Sequence, residues 1–112
     1  MKNNKTYDNM SIVEIKELIK RRRFQILVHS FIYYRLNDSI ISNDTFNDWA
    51  LELIELQKNY PEISKEVELY SIFCDFINVG DSAFLPLDND SNLENRAKQL
   101  LNTHYEKIRE DS

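Results

Sequence analysis

Few residues in this chain could do chemistry, and their spacing excludes more than it supports. His29 and His104 have no second histidine or cysteine at metal-ligand spacing. Cys74 follows Phe73 and precedes Phe76, an apolar setting in which cysteine serves as a small buried hydrophobe, and no neighbouring base is placed to activate it. Asp88-Asn89-Asp90 has the flavour of a calcium loop but lacks the required glycine and distal glutamate. A phosphate-cradling loop needs several glycines, and the chain has one, Gly80. These residues predict a non-enzymatic protein with no catalytic set, no metal and no cofactor.

Binding is the chemistry that remains, and three groups of residues could carry it. Lys20-Arg21-Arg22-Arg23 is the one dense basic run in a chain of net charge -5. Successive helical residues step by about 100°, so these four encircle an axis and cannot all face one partner. The run reads either as a solvated collar paired with Glu14 and Glu17, or as a contact for an acidic protein through Arg21 and Arg22. Nucleic acid is the weakest partner, because the overall charge opposes a phosphate-binding surface. Tyr33-Tyr34 ends a long apolar stretch and belongs to the residue types enriched at binding hot spots. Phe84, in Ala83-Phe84-Leu85-Pro86-Leu87, either folds with Leu87 onto the core as a lid or stands out as a recognition element.

The elements that position these residues follow from sparse punctuation: one Gly and two Pro, Pro61 and Pro86, favour helices joined by short turns. Residues 1–10 form a polar tail expected to be disordered. Ser11 and Glu14 make a capping-box pattern, and Ile12, Ile15, Leu18 and Ile19 then recur at helical spacing, so a first helix runs towards Asn37-Asp38. Its second half is apolar nearly all round, from Phe24 to Leu36, which suits the central helix of a bundle or leaves a face open to a partner or a second copy. A second helix starts after Ser42 or Asn43, with Phe46, Trp49, Ala50, Leu53, Leu56 and Tyr60 on one face, and Pro61 ends it. Pro61 also opens a third helix carrying Ile63, Val67, Tyr70, Phe73, Cys74 and Ile77 as far as Gly80. Ser91 and Glu94 repeat the capping-box pattern before a fourth helix with Leu93, Ala97, Leu100, Leu101, Tyr105 and Ile108 inward. The expected fold is all-α, a compact bundle of about four helices in a single domain over residues 11–110.

Composition agrees with one such domain: 112 residues, 42% of them hydrophobic, suffice for a core. No apolar run approaches the ~20 residues of a membrane span. The start, MKNNKTYDNM, has no apolar signal region, and a lone cysteine forms no internal disulfide, so a reducing cytoplasm is expected.

Gln25 to Glu62 carries a more specific pattern: a helix ending in Tyr33-Tyr34, a turn from Asn37 to Ser42, a second helix opening with Phe46-Asn47, and Tyr60-Pro61-Glu62 at its close. This arrangement resembles the small N-terminal helical domain of NAD-dependent DNA ligases. The resemblance implies a module that holds the nicotinamide mononucleotide half of NAD by aromatic stacking, a histidine and acidic side chains, beside a separate nucleotidyltransferase domain. Tyr33 keeps the stacking position. Tyr34 replaces the histidine, Asn43 an acidic residue, and Phe46 and Asn47 a Tyr-Asp pair. Asn keeps the shape of Asp without the charge that would stabilise a cationic nicotinamide ring. Phe46 lacks a hydroxyl for ribose or amide. Tyr33, Tyr34, Asn43, Phe46 and Asn47 therefore read as a vestigial ligand site. The same resemblance implies a small phage or prophage protein, hence a binding protein in the host cytoplasm that modulates or inhibits a host protein, for instance a defence nuclease in the anti-CRISPR manner. The alternatives are a module still binding a nicotinamide nucleotide, and a nucleic-acid accessory factor using the basic run.

Overall fold

A computed structural model describes residues 9–87 and 91–111, and among them there are only helices and connections. The expected disordered tail over residues 1–10, apart from its last two residues, and the acidic cluster at 88–90 lie outside the described residues. Helices α1 (Ile12–Arg35) and α2 (Asn43–Asn59) form the main pair. Two short helices follow, α3 (Pro61–Lys65) and α4 (Tyr70–Phe73), then a 3-10 helix (Val79–Phe84) and a long α5 (Ser91–Asp111).

Helix α1 starts where its capping box requires: Ser11 Oγ accepts from the Glu14 N–H at 3.1 Å, and the Ser11 N–H donates to Glu14 Oε1 at 2.9 Å. It stops at Asn37, whose φ of 53° places it in the left-handed region that asparagine tolerates better than most residues. The Asp38 N–H then returns to the Ile32 carbonyl at 3.1 Å. Ser42 caps α2 through the Thr45 N–H, also at 3.1 Å.

Helix α1 is central, packing against α2, α3, α5 and the 3-10 helix. Its Ile15, Ile19, Ile26, Leu27, Phe31 and Ile32 are buried with Ala50, Leu53 and Leu56 of α2. Phe73, Phe76, Leu85, Leu87, Leu93 and Ala97 close the core from the other side.

The third helix departs most from expectation, and the basic run explains why. Arg23 is completely buried rather than part of a solvated collar. Its guanidinium donates to Gln57 Oε1 (2.9 Å), to Ser64 Oγ (2.6 Å), and to the carbonyls of Ser64 (3.2 Å), Val67 (3.0 Å) and Glu68 (3.0 Å). A continuous helix would commit those carbonyls to its own N–H groups, whereas a buried cation with no carboxylate partner among the described residues draws on them, the Ser64 carbonyl keeping the Val67 N–H as well. The chain therefore leaves helical geometry after Lys65, and Leu69 takes a φ of 71° before α4 begins. Gln57 completes the arrangement by donating to the Phe73 carbonyl at 3.0 Å. Burial pushes the Arg23 pKa down to about 10, which still leaves it cationic at neutral pH.

This break resets the helical register beyond it. Cys74 is exposed, not a buried hydrophobe, Ile77 is exposed, and Phe76 takes the inward place. Gly80 lies inside the 3-10 helix instead of ending the helix that Pro61 opens. The lid forms with Leu85 and Leu87 while Phe84 points outward, 84% exposed. Ser91 is itself helical, and Glu94 pairs with Lys98 at 2.6 Å. Helix α5 buries only its first half: Leu93 and Ala97 are covered, and Leu100, Tyr105 and Ile108 are exposed. Tyr105 is tied to the far end of α1 all the same, its hydroxyl donating to Asp38 Oδ2 at 2.6 Å.

Of the neighbouring cations, Arg22, Lys20 and Lys16 have acidic partners while Arg21 is exposed. Arg22 is half-buried, bonded through Nε to Glu52 at 2.6 Å and lying 5.8 Å from the Trp49 ring centroid. Lys16 and Lys20 reach Glu66 (2.8 Å) and Glu68 (3.5 Å) in the α3–α4 connection. Glu14 stays in the capping box.

Candidate functional site

The C-terminal half of α1, the α1–α2 turn, the start of α2 and the 3-10 helix surround a cavity of about 260 Å³. It is lined by Tyr33, Tyr34, Asn43, Phe46 and Asn47, the five residues singled out above as a vestigial ligand site, together with His29, Ser30 and residues of the turn and the 3-10 helix. The sequence separation is bridged by two features already described. Asn37 and the Asp38 N–H turn the chain back sharply, and the Ser42 cap points the first turn of α2 at the end of α1.

Tyr33 and Tyr34 meet edge to face with ring centroids 4.9 Å apart, so one ring offers its face where the other offers its edge. They are 57% and 42% exposed, as residues at the mouth of a cavity would be. Phe46 is half-buried, and Asn43 and Asn47 are exposed on the first turns of α2. Val79, Gly80 and Ser82 supply the opposing wall. Gly80 faces open space, so its place there reflects no steric demand for the absence of a side chain.

His29 and Ser30 of α1, like the lining residues of the turn and the 3-10 helix, were not legible as site residues. His29 packs against Trp49 with ring centroids 5.4 Å apart, and burial lowers its pKa, so at neutral pH it presents one donor and one acceptor without charge. Ser30 is 1% exposed, and its Oγ is the one buried side-chain polar atom without a hydrogen-bond partner among the described residues. Nothing in a lone serine within an apolar helical run signals this. Its place one turn before Tyr33-Tyr34 would have been the hint.

No aspartate, glutamate, lysine or arginine lines this cavity among the described residues. Asp44 and Asp48 lie on α2, but neither is part of the wall, and Asp38 is engaged by Tyr105. The other sequence candidates stand apart: Arg21 borders a separate, more polar depression with Glu17, Lys20, Phe24, Glu68 and Arg96, and Arg22 is held by Glu52. Phe84 lies on the same 3-10 helix as the cavity's opposing wall, without lining the cavity. No group of His, Cys, Asp and Glu among the described residues could hold a metal ion.

The fold and the site thus define a small helical module with a neutral, aromatic-edged pocket between two antiparallel helices. Comparison with known proteins relates the chain to DNA ligases. It is 44% identical over 50 residues to a DNA ligase of Pseudothermotoga lettingae, covering 45% of this chain and 7% of that protein. The DNA ligase of Thermotoga maritima is 38% identical over 50 residues, covering 45% of this chain and 7% of the relative. That of Bacteroides fragilis is 38% identical over 52 residues, covering 46% and 8%. The resemblance to the ligase N-terminal helical domain therefore holds locally, while the chain spans about 7% of the length of the curated relatives it matches. No family model matches the chain, and no solved structure matches it.

The residues present do not fit the nicotinamide mononucleotide group that the resemblance implies. That group carries a cationic ring and an anionic phosphate, and the cavity offers no carboxylate, lysine or arginine among the described residues, while burial disfavours the charged form of His29.

Proposed function

We propose that this chain is a binding module without catalysis of its own, acting through the cavity between α1 and α2. One observation carries the reading: the five ligand positions, four of them altered, still surround an open space instead of collapsing on it. A site released from any binding role would be expected to fill, because apolar closure of about 260 Å³ gains dispersion contacts that an open cleft forgoes. Helices α1 and α2 hold the two tyrosines, Phe46 and the two asparagines on rigid elements, which suits recognition more than a loop would.

The test is a titration of the isotope-labelled protein with nicotinamide, nicotinamide mononucleotide, NAD and common nucleosides, followed by amide resonances. Shifts confined to residues 29–34, 39–47 and 79–82 support the reading. Saturating concentrations that leave all of those resonances in place would end it for small ligands.

A second reading has its own observation. Phe84 is 84% and Ile77 68% exposed, both on or beside the 3-10 helix that walls the cavity, and Tyr33 stands at its mouth. Large exposed apolar side chains of this kind suit a protein partner whose side chain enters the cavity. A phage-encoded inhibitor of a host protein such as a defence nuclease is the form of partner that size, acidity and the ligase resemblance favour. Nuclease activity unchanged by excess protein would count against that form.

A further inference from the structure

The chemical character of the cavity narrows what it can take, an inference that rests on the small-ligand reading above. We propose that the site binds an uncharged planar heterocycle bearing an amide edge, and that it discriminates against charged ligands, with Ser30 as the buried hydrogen-bonding residue at its floor.

Three features lead there. The wall combines aromatic surface from Tyr33, Tyr34 and Phe46 with neutral donors and acceptors from Asn43, Asn47, His29 and Ser30. Such a wall solvates a polar, flat, neutral molecule. It gives a cationic ring no carboxylate and a phosphate no lysine or arginine, which leaves either charge only the weaker support of aromatic faces and of the first turn of α2. The volume of about 260 Å³ falls just under the ~300–1,000 Å³ of drug-sized pockets, which suits a single heterocycle with a modest substituent better than a dinucleotide.

Ser30 is the second, independent pointer. A hydroxyl that is buried and unpaired is uncommon in a folded protein and normally marks a role. Rotation about its single χ1 bond between staggered positions moves the Oγ without disturbing α1. A ligand carbonyl or ring N–H at the cavity floor then supplies the missing partner, since a hydroxyl can donate or accept. The amide edge provides both functions side by side, and Asn43 and Asn47 can complete the pair as asparagine does with other amides. A carboxamide on an aromatic ring and the lactam edge of a pyrimidine share this chemistry.

The experiment is isothermal titration of the full chain with nicotinamide and uridine as neutral probes, and with nicotinamide mononucleotide as the charged probe. It is repeated with Ser30→Ala and Asn43→Asp. A neutral probe should bind at least tenfold more tightly than the mononucleotide, and the two neutral arms decide between carboxamide and lactam. Ser30→Ala should weaken the neutral probe about tenfold while leaving the melting temperature of the free protein equal or higher, which a merely structural serine would not do. Asn43→Asp, at the exposed first turn of α2 where an acidic residue is well tolerated, should shift the preference towards the mononucleotide. Tighter binding of the mononucleotide by the parent chain would overturn the proposal and leave the binding-module reading standing. Binding of neutral probes undiminished in Ser30→Ala would also overturn it. Failure of every probe to bind would remove the proposal and the small-ligand reading together.

Discussion

Replacing Arg23 by lysine, ordinarily a mild exchange, should cost this fold a large part of its stability. The guanidinium is completely buried and makes five hydrogen bonds, three of them to backbone carbonyls of Ser64, Val67 and Glu68. Lysine keeps the charge but has one nitrogen and no fork, so it cannot span acceptors that a planar group with five N–H donors reaches. At least two acceptors would lose their partner. Each buried polar group left unmade costs about 1–3 kcal/mol, giving about 2–6 kcal/mol for two in Arg23→Lys. Arg23→Met removes all five donors at once, and although the Ser64 carbonyl keeps the Val67 N–H, its loss should exceed that of Arg23→Lys. A hydrophobic replacement can rescue a buried ion pair when both partners are exchanged, but backbone carbonyls cannot be exchanged. For 112 residues the whole stability is expected near 6–17 kcal/mol, about 0.05–0.15 per residue. A loss of about 3 kcal/mol lowers a urea midpoint by about 1–3 M. Trp49 is the only tryptophan and sits half-buried beside Arg22, so its fluorescence follows unfolding. Hydrogen exchange at residues 66–70 would separate local opening of the α3–α4 connection from global unfolding. An Arg23→Lys protein within about 0.5 kcal/mol of the parent would refute the reasoning, since the guanidinium could not then be what holds that connection.

Three further outcomes are expected. Tyr105→Phe should raise the Asp38 pKa, read by carbon resonances of the carboxylate, because the hydroxyl hydrogen bond is the largest cause of its lowering, ahead of the Ser39 N–H. His29 has a folded pKa below its unfolded value, since burial disfavours the charged ring. The unfolded state then binds more protons in the window beneath the ordinary value of about 6.5, so stability should fall as pH drops from 7 through that window, and His29→Gln should flatten the decline in a thermal melt series. Phe84→Ser should leave the melting temperature nearly unchanged, within about 0.5 kcal/mol as for an exposed side chain, while a protein partner docking at that edge would lose affinity in a pull-down.

What could be read from the chain was local. The Ser11–Glu14 box, the Asn37 turn and the Ser42 cap each depend on residues within a few positions, and the ends of α1 and α2 fall where those signals put them. Tyr33, Tyr34, Asn43, Phe46 and Asn47 are legible because the ligase-like pattern lies within one helix–turn–helix unit, whereas the wall of Val79, Gly80 and Ser82 comes from outside it. The third helix failed for a reason that no local signal holds: the acceptors demanded by Arg23 lie 41 to 45 positions away. Nothing in Lys20-Arg21-Arg22-Arg23 distinguishes the residue that turns inward. Cys74 and Ile77, expected inward, face out as a consequence, since one irregular turn changes which side of the next element faces the core.

Arg23 and Ser30 together bear on why the cavity should be taken as a site. Both are polar, both are buried on α1, and they are two helical turns apart. The sequence meets the demand of one completely, breaking a helix and placing Leu69 in a left-handed conformation to supply its acceptors. The hydroxyl of the other is given no partner, although Ser39, Ser42, Asn43 and Asn47 surround the same cavity. A chain that reorganises its backbone around one buried polar group and leaves a second unmet at the wall of an open pocket is arranged as though the second partner arrives from outside. Alanine at position 30 would remove the desolvation cost without disturbing α1 and would raise its helix propensity. The serine therefore opposes the stability of the free protein, and a bound ligand is the condition under which it would cease to do so.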